Sequence, residues 1–233
     1  SRVNLRYVAS AEQLGTPDAI ILPGTKNTLG DLQWLRDTGL ADAILAHANG
    51  QVCIVGICGG YQMLGQWLHN PHGFETAKIL SAEGLRLLDV DTIFEHEKQT
   101  YQVTATVLNG AVAPNSTSLR LRGYEIHVGQ TVTRSPWLSL TRTGAAAERE
   151  VLDGACSDAG NIWGCYLHGI FHNDAFRNDW LRSIGAPVSA ESKANDAIEA
   201  SLERLADAFE SHIDMKQLNE MIWPQEQSHV ISR

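Results

Sequence analysis

The chain has 233 residues, 43% hydrophobic and 19% charged, which is enough apolar material for a full core and the balance of an ordinary soluble globular domain. Its 18 Lys and Arg face 27 Asp and Glu for a formal charge of -9, with no basic stripe, which argues against a nucleic-acid partner. No apolar run reaches the roughly 20 residues that span a bilayer and the first residues carry no signal-peptide core, so a cytoplasmic setting without a membrane partner is expected.

Cys53, Cys58, Cys156 and Cys165 are too few for a disulfide framework and form no C-x-x-C pair, so they are read as thiols. Val3 to Val8 reads as a short strand. Ala19-Ile20-Ile21-Leu22 is a continuous apolar run stopping at Pro23-Gly24, as a buried parallel strand does. Thr28-Leu29-Gly30-Asp31 has the spacing of a capping box, and Leu32, Leu35, Leu40, Ile44 and Leu45 supply the buried face of the helical region it opens, with a break at Gly39. Val52 to Ile57 is a second buried strand. It runs straight into Cys58-Gly59-Gly60, and a helix is expected from Tyr61 to Leu68.

From Tyr101 to Thr133 the pattern becomes alternation, with Tyr101, Val103, Ala105 and Val107 on one face, so antiparallel strands are expected. Ile162 to Leu167 is one more strand, ending at His168-Gly169, and Asn173 is placed to cap a helix through Leu181. From Ser189 to about Ile222, the apolar residues Ile198, Leu202, Leu205, Phe209 and Ile213 repeat at helical spacing and predict an amphipathic helix packed on the sheet. The fold class is therefore α/β with a mixed sheet, an antiparallel section and a C-terminal helix. The core is expected over 1–185 and a helical extension over 186–233.

Ligands of such folds sit at the carboxyl ends of strands, where Pro23-Gly24, Cys58 and His168 all fall. A cysteine at a strand-to-helix turn projects into the cleft, and the helix N-terminus favours its thiolate. The amide of Gly59 can receive charge forming on a carbonyl oxygen under attack, and the Pro23 to Asn27 loop can supply a second amide. Taken alone, a Gly-x-Cys-x-Gly turn is as easily a plain glycine turn. His168 is positioned to take the thiol proton, with His127 competing for that role. Lys26 is given no part in the chemistry. His168 and His172 have the i, i+4 spacing of helical metal ligands, but Gly169 and the strand end argue against a helix there, and no metal is expected.

The run Gly56-Ile57-Cys58-Gly59-Gly60-Tyr61-Gln62 resembles the nucleophile elbow of the class I, or triad, glutamine amidotransferases. With Ile21 to Thr28, Gly123-Tyr124-Glu125-Ile126-His127 and Gly164 to Phe171, it is similar to the glutaminase domains of cobyric acid synthases, from about the first strand through Leu181. The resemblance implies a flavodoxin-like three-layer domain in which Cys58 attacks the side-chain amide of glutamine and His168 relays protons. It further implies an oxyanion hole from the amides of Gly24 or Thr25 and Gly59, and a hold on the substrate by Gln62. The ammonia would go to activated carboxylates of a corrinoid, adenosylcobyrinic acid a,c-diamide, at the expense of ATP.

Two departures stand out. Many class I glutaminases carry an acid two residues after the histidine, where this chain has Ile170, and cobyric acid synthases resemble this chain in lacking that acid. Glu125 and Asp174 are the candidates to orient the ring, with a water or a backbone carbonyl as substitutes. The sequence also holds no G-x-x-x-x-G-K-[ST]. The ATP-dependent synthetase domain, with its ATP and magnesium, is thus expected to lie outside this chain, which also starts without Met and reads as a C-terminal portion needing no cofactor of its own. The alternatives are the glutaminase of a cobyrinic acid a,c-diamide synthase, that of a cell-wall lipid amidating enzyme, a non-catalytic module of the same shape, and a cysteine hydrolase acting on another amide or ester.

Overall fold

The computed structural model describes residues 3–50, 52–143, 150–188 and 194–223. It forms two compact units, Ser1–Ser192 and Lys193–Arg233. The first unit runs α1 (Ala11–Leu14), β1 (Ala19–Leu22), α2 (Thr28–Asp37), α3 (Leu40–Ala48), β2 (Cys53–Ile57), α4 (Gly59–Leu64), β3 (Trp67–His69) and β4 (Ser81–Glu83). It continues through β5 (Val90–Val107), β6 (Arg120–Thr133), β7 (Leu138–Thr143), β8 (Glu150–Asp153), β9 (Ala155–Cys156), β10 (Ile162–Cys165), a 3-10 turn at Ile170–His172 and α5 (Asp174–Ser183).

The mixed sheet expected from the sequence is present as two sheets. In the first, ordered β1-β2-β10-β9, the first three strands are parallel and β9 is antiparallel. Both faces are covered, which is why β2 reads as an unbroken apolar run. Ile54 and Ile162 pack with residues of α1 to α4, whereas Cys53, Val55, Trp163 and Cys165 pack with Phe176, Trp180 and Leu181 of α5 and with Val103, Ala105 and Leu140 of the second sheet. The second sheet is ordered β4-β3-β5-β7-β8, with β6 also paired to β5. Along β5, Val103, Ala105 and Val107 are buried while Gln102 and Thr104 face out, the alternation the sequence predicts.

Trp137 fastens the two sheets together. It is fully buried, its indole N–H donates to the Gly164 carbonyl at 3.1 Å, and its ring meets Trp163 edge-on at 5.2 Å and stacks on Phe176 at 5.9 Å.

Several local expectations need correction. Val3 to Val8 is not a strand: Val3, Leu5 and Tyr7 are exposed, and the segment is tied down by Arg6, which donates to the carbonyls of Gln13 and Leu14 of α1. α2 is capped by Asn27, whose side chain accepts from the Gly30 amide, rather than by Thr28. The expected break at Gly39 is present, with φ 73 separating α2 from α3. α4 stops at Leu64 because the segment 84–88 takes over its last carbonyls: the amides of Leu85, Leu87 and Arg86 donate to Met63, Leu64 and Gly65. Asn173 occupies the N-cap position of α5, as expected, but makes no side-chain capping bond. Its side chain instead bridges to the backbone of Arg122 in β6 and to the carbonyls of Gly169 and Ile170.

In the second unit the single C-terminal helix is two, α6 (Ala194–His212) and α7 (Met215–Ile222), the latter capped by Asp214, which accepts from the Gln217 amide at 3.0 Å. Residues 189–193 of the expected helix lie outside the described residues. Among the described residues no helix is long and apolar enough to cross a membrane, and no group of three or more His, Cys, Asp or Glu could hold a metal ion.

Candidate functional site

Cys58 sits between β2 and α4 with φ 53 and ψ -111, a conformation that costs a non-glycine residue energy and that persists only where the surroundings hold it. Two bonds do so here. Its amide donates to the Cys165 carbonyl at the end of β10, and its carbonyl accepts from the Gln62 amide to start α4. The turn also needs Gly60, where a Cβ would come within 2.0 Å of the Leu22 carbonyl oxygen.

His168 follows β10 and is bridged to Tyr124 of β6 by two backbone hydrogen bonds, so the Cys58 turn and the His168 loop are both fixed to neighbouring strands. The Tyr124 ring stacks on the imidazole at 4.9 Å. Gly24, at the end of β1, marks where the two groups converge. A Cβ there would meet His168 Cε1 at 3.0 Å and Cys58 Cβ at 3.4 Å. Cys58 Sγ lies 3.5 Å from the Ile126 carbonyl oxygen of β6. His168 Nε2 is buried with no hydrogen-bond partner. In contrast, both nitrogens of His127 meet acceptors, Nδ1 the Gly129 carbonyl at 3.0 Å and Nε2 the Glu125 carboxylate at 3.3 Å.

Burial shifts the titration of both side chains. It pushes the Cys58 thiol up to about 11, against the opposing pull of the Gly59 amide and with a small addition from Asp153. The start of the helix does favour the thiolate, through the Gly59 amide, but desolvation outweighs it. Burial likewise lowers His168 below the ordinary histidine value, with the charge of His127 adding to the effect and the Ile126 carbonyl opposing it. Burial thus favours the neutral form of both the thiol and the imidazole over a standing ion pair.

The second loop is close by. A Cβ on Gly59 would stand 3.1 Å from the Thr25 amide nitrogen, so the two backbones run side by side with room for no side chain between them. Thr25 Oγ1 donates to Asp31 and accepts from the Asn27 amide at 3.1 Å, which holds the loop folded over α2.

Residues 1–176 match the CobB/CobQ-like glutamine amidotransferase domain family. The chain belongs to that family. Among curated relatives, it is 41% identical over 230 residues to the cobyric acid synthase of Desulforamulus reducens, covering 94% of this chain and 44% of that protein. It is 35% identical to the cobyric acid synthase of Dehalococcoides mccartyi strain 195, again over 94% and 44%. With that of Roseiflexus castenholzii it shares 46% over 186 residues, 78% of this chain and 36% of the relative. The chain thus spans less than half the length of the curated relatives it matches.

Within this glutamine amidotransferase domain, the remaining residues singled out from sequence fall in unequal places. Gln62 is buried and already bonded: it accepts from Thr28 Oγ1 and donates to the Val128 carbonyl and the Tyr166 hydroxyl, each at 3.0 Å. Both of its N–H groups are used, leaving one lone pair of Oε1 for any ligand. Glu125 does not orient His168. Its carboxylate accepts from Arg142 Nε at 2.6 Å and Nη2 at 3.0 Å as well as from His127, and these bonds overcome its burial to hold it below the usual glutamate range. Asp174 is paired with Arg177 at 2.6 Å on the first turn of α5. The alternation of Tyr124-Glu125-Ile126-His127 carried a signal here, since a strand puts Glu125 and His127 on the face opposite Tyr124, whose ring stacks on His168.

Proposed function

We propose that this domain hydrolyses glutamine to glutamate and ammonia through a thioester on Cys58. As Sγ attacks the side-chain amide carbon, its proton passes to His168 Nε2, and the negative charge gathering on the carbonyl oxygen is received by the amides of Thr25 and Gly59, with that of Gly24 beside them. Collapse of the intermediate returns the proton to the leaving nitrogen, which departs as ammonia. Water, deprotonated by the same imidazole, then attacks the thioester, and glutamate leaves as the thiol is restored. Gln62 acts from the wall of the site through its remaining lone pair. The observation that supports this reading is that a Cβ at Gly24 would touch both His168 Cε1 and Cys58 Cβ, with the Cys58 backbone strained and His168 Nε2 buried without a hydrogen-bond partner.

The ammonia is used, in this reading, by an ATP- and magnesium-dependent synthetase domain to amidate side-chain carboxylates of adenosylcobyrinic acid a,c-diamide, giving adenosylcobyric acid in the cytoplasm. The curated cobyric acid synthases matching 94% of the chain support this acceptor over a lipid or the fully acidic corrinoid. The test uses the full-length protein carrying this domain, with ATP, the corrinoid diamide and either glutamine or ammonia. Cys58→Ala should abolish amidation with glutamine and leave amidation with ammonia intact. Parental glutamine-dependent turnover in that variant would remove Cys58 from the mechanism, and failure of the parent to amidate the corrinoid from either source would remove the acceptor.

A further inference from the structure

The Thr25 amide is useful only if the loop carrying it holds its position, and the groups that fix the loop are visible. α2 begins three residues after Thr25, and the first amides of a helix have no partner within it. Here they find one from far along the chain. The amide of Thr28 donates to Oε1 of Glu75 at 2.7 Å and that of Leu29 to Oε2 at 2.8 Å, so one carboxylate clasps the start of α2 with both oxygens. Charge on the acceptor makes such bonds stronger than neutral ones, and the sign is the one a helix N-terminus favours.

Glu75 is itself held. Its own amide lies 3.4 Å from Asn70 Oδ1, and Asn70, fully buried, donates through its side chain to the carbonyls of Thr76 at 2.7 Å and Ile79 at 2.9 Å. On the far side of the same helical turn, Thr28 Oγ1 is bonded to Gln62 of α4, and Thr25 Oγ1 to Asp31. The turn that follows the Thr25 amide is therefore gripped between the 70–80 loop and the elbow helix. Of these restraints, the clasp by Glu75 is the one that ties the loop to a separate part of the chain by a charged group.

We propose that Glu75 is a positioning residue of the glutaminase, holding the Thr25 amide where it can receive the forming oxyanion beside Gly59. This deepens the proposed function and rests on it. Glutamine in place of Glu75 keeps the size but offers a single acceptor oxygen, so one of the two amides loses its partner and the loop is freed to shift.

The test measures the steady-state glutaminase of the parent, Glu75→Gln and Glu75→Asp, together with the rate at which iodoacetamide alkylates Cys58, a reaction that forms no oxyanion. Glu75→Gln should lower kcat by about 10- to 100-fold, part of what loss of a whole oxyanion donor costs, with KM within about twofold of the parent. Its alkylation rate should match that of the parent. Glu75→Asp, which retains both charged oxygens, should fall between the two in kcat, and it serves in the same assays should the glutamine variant fail to fold. Parental kcat in a folded variant, or an alkylation rate that falls in step with kcat, overturns the role of Glu75 while the glutaminase reading stands. A parent that releases no ammonia from glutamine defeats the glutaminase reading itself, and the role of Glu75 with it.

Discussion

At the scale of single residues, the two histidines near the cleft differ in what their nitrogens touch. His168 keeps Nε2 unpartnered, whereas His127 has acceptors on both sides and its ring stacked on Tyr166 at 3.8 Å. His168→Ala should therefore slow thioester formation by roughly 10²- to 10⁴-fold, and His127→Ala by much less. Single-turnover measurement of glutamate formation in both variants checks this, and the reverse order of losses would transfer the base to His127. The pH profile follows from the same environment. Only the neutral ring accepts a proton, and burial lowers its folded pKa below 6.5. Activity should accordingly persist as pH falls past 6.5 and drop only at more acid values, so an acid limb of kcat/KM centred above 7 would contradict the assignment.

At the scale of elements, β6 and β7 are joined by a buried ion pair, with Glu125 2% exposed and Arg142 also lying 4.7 Å over the Tyr101 ring. Arg142→Ala leaves a buried carboxylate with only His127 beside it, at a cost of about 3 kcal/mol at neutral pH. Because the folded pKa of Glu125 is depressed, the pair's contribution is present above the unfolded carboxyl pKa and is lost as pH falls through the folded one. Urea unfolding should show the difference at pH 7 and a smaller one near pH 4, and equal stability of variant and parent at pH 7 would refute it. This pair also shows where sequence reading stopped. The elements flanking the chemistry were legible because β1, β2 and β10 are unbroken apolar runs ending in glycine or cysteine turns, and Gly39 and Gly60 punctuate the chain where the backbone requires it. The partners of Glu125 were not, since Arg142 reaches it from β7 across β5, and alternation specifies a face but no neighbour. The cap on α2 was misread for a similar reason: Thr28 is in contact with Gln62, and the carboxylate serving the helix comes from Glu75.

At the scale of the whole molecule, the covered faces of the first sheet explain why the site is dry enough to perturb its own groups. Period-two alternation predicted antiparallel strands correctly, yet could not say that they would form a second sheet fastened to the first through Trp137. Asp153, at the end of β8, lies on this seam, accepting from the Tyr166 amide at 2.9 Å, and burial pushes its carboxyl up to about 6. A folded pKa raised from 3.8 to about 6 means that its contribution is fully present below the unfolded value and is lost as pH rises through the folded one. That decline amounts to roughly 3 kcal/mol between about pH 4 and pH 6. Asp153→Asn should remove it, so that the stability difference between variant and parent moves in favour of the variant across that window. An unchanged difference from pH 4 to pH 8 would mean that Asp153 does not titrate within the fold.

The central claim is that one thiol of four is presented to glutamine beside an imidazole. It is tested most directly by incubating the folded protein with a glutamine analogue that carries an electrophilic carbon, then mapping the adduct by mass spectrometry. The account predicts one adduct, on Cys58, prevented by excess glutamine and slowed in His168→Ala, with Cys53, Cys156 and Cys165 unmodified. Labelling of another cysteine in its place, or labelling of Cys58 that neither glutamine nor loss of His168 affects, would contradict it.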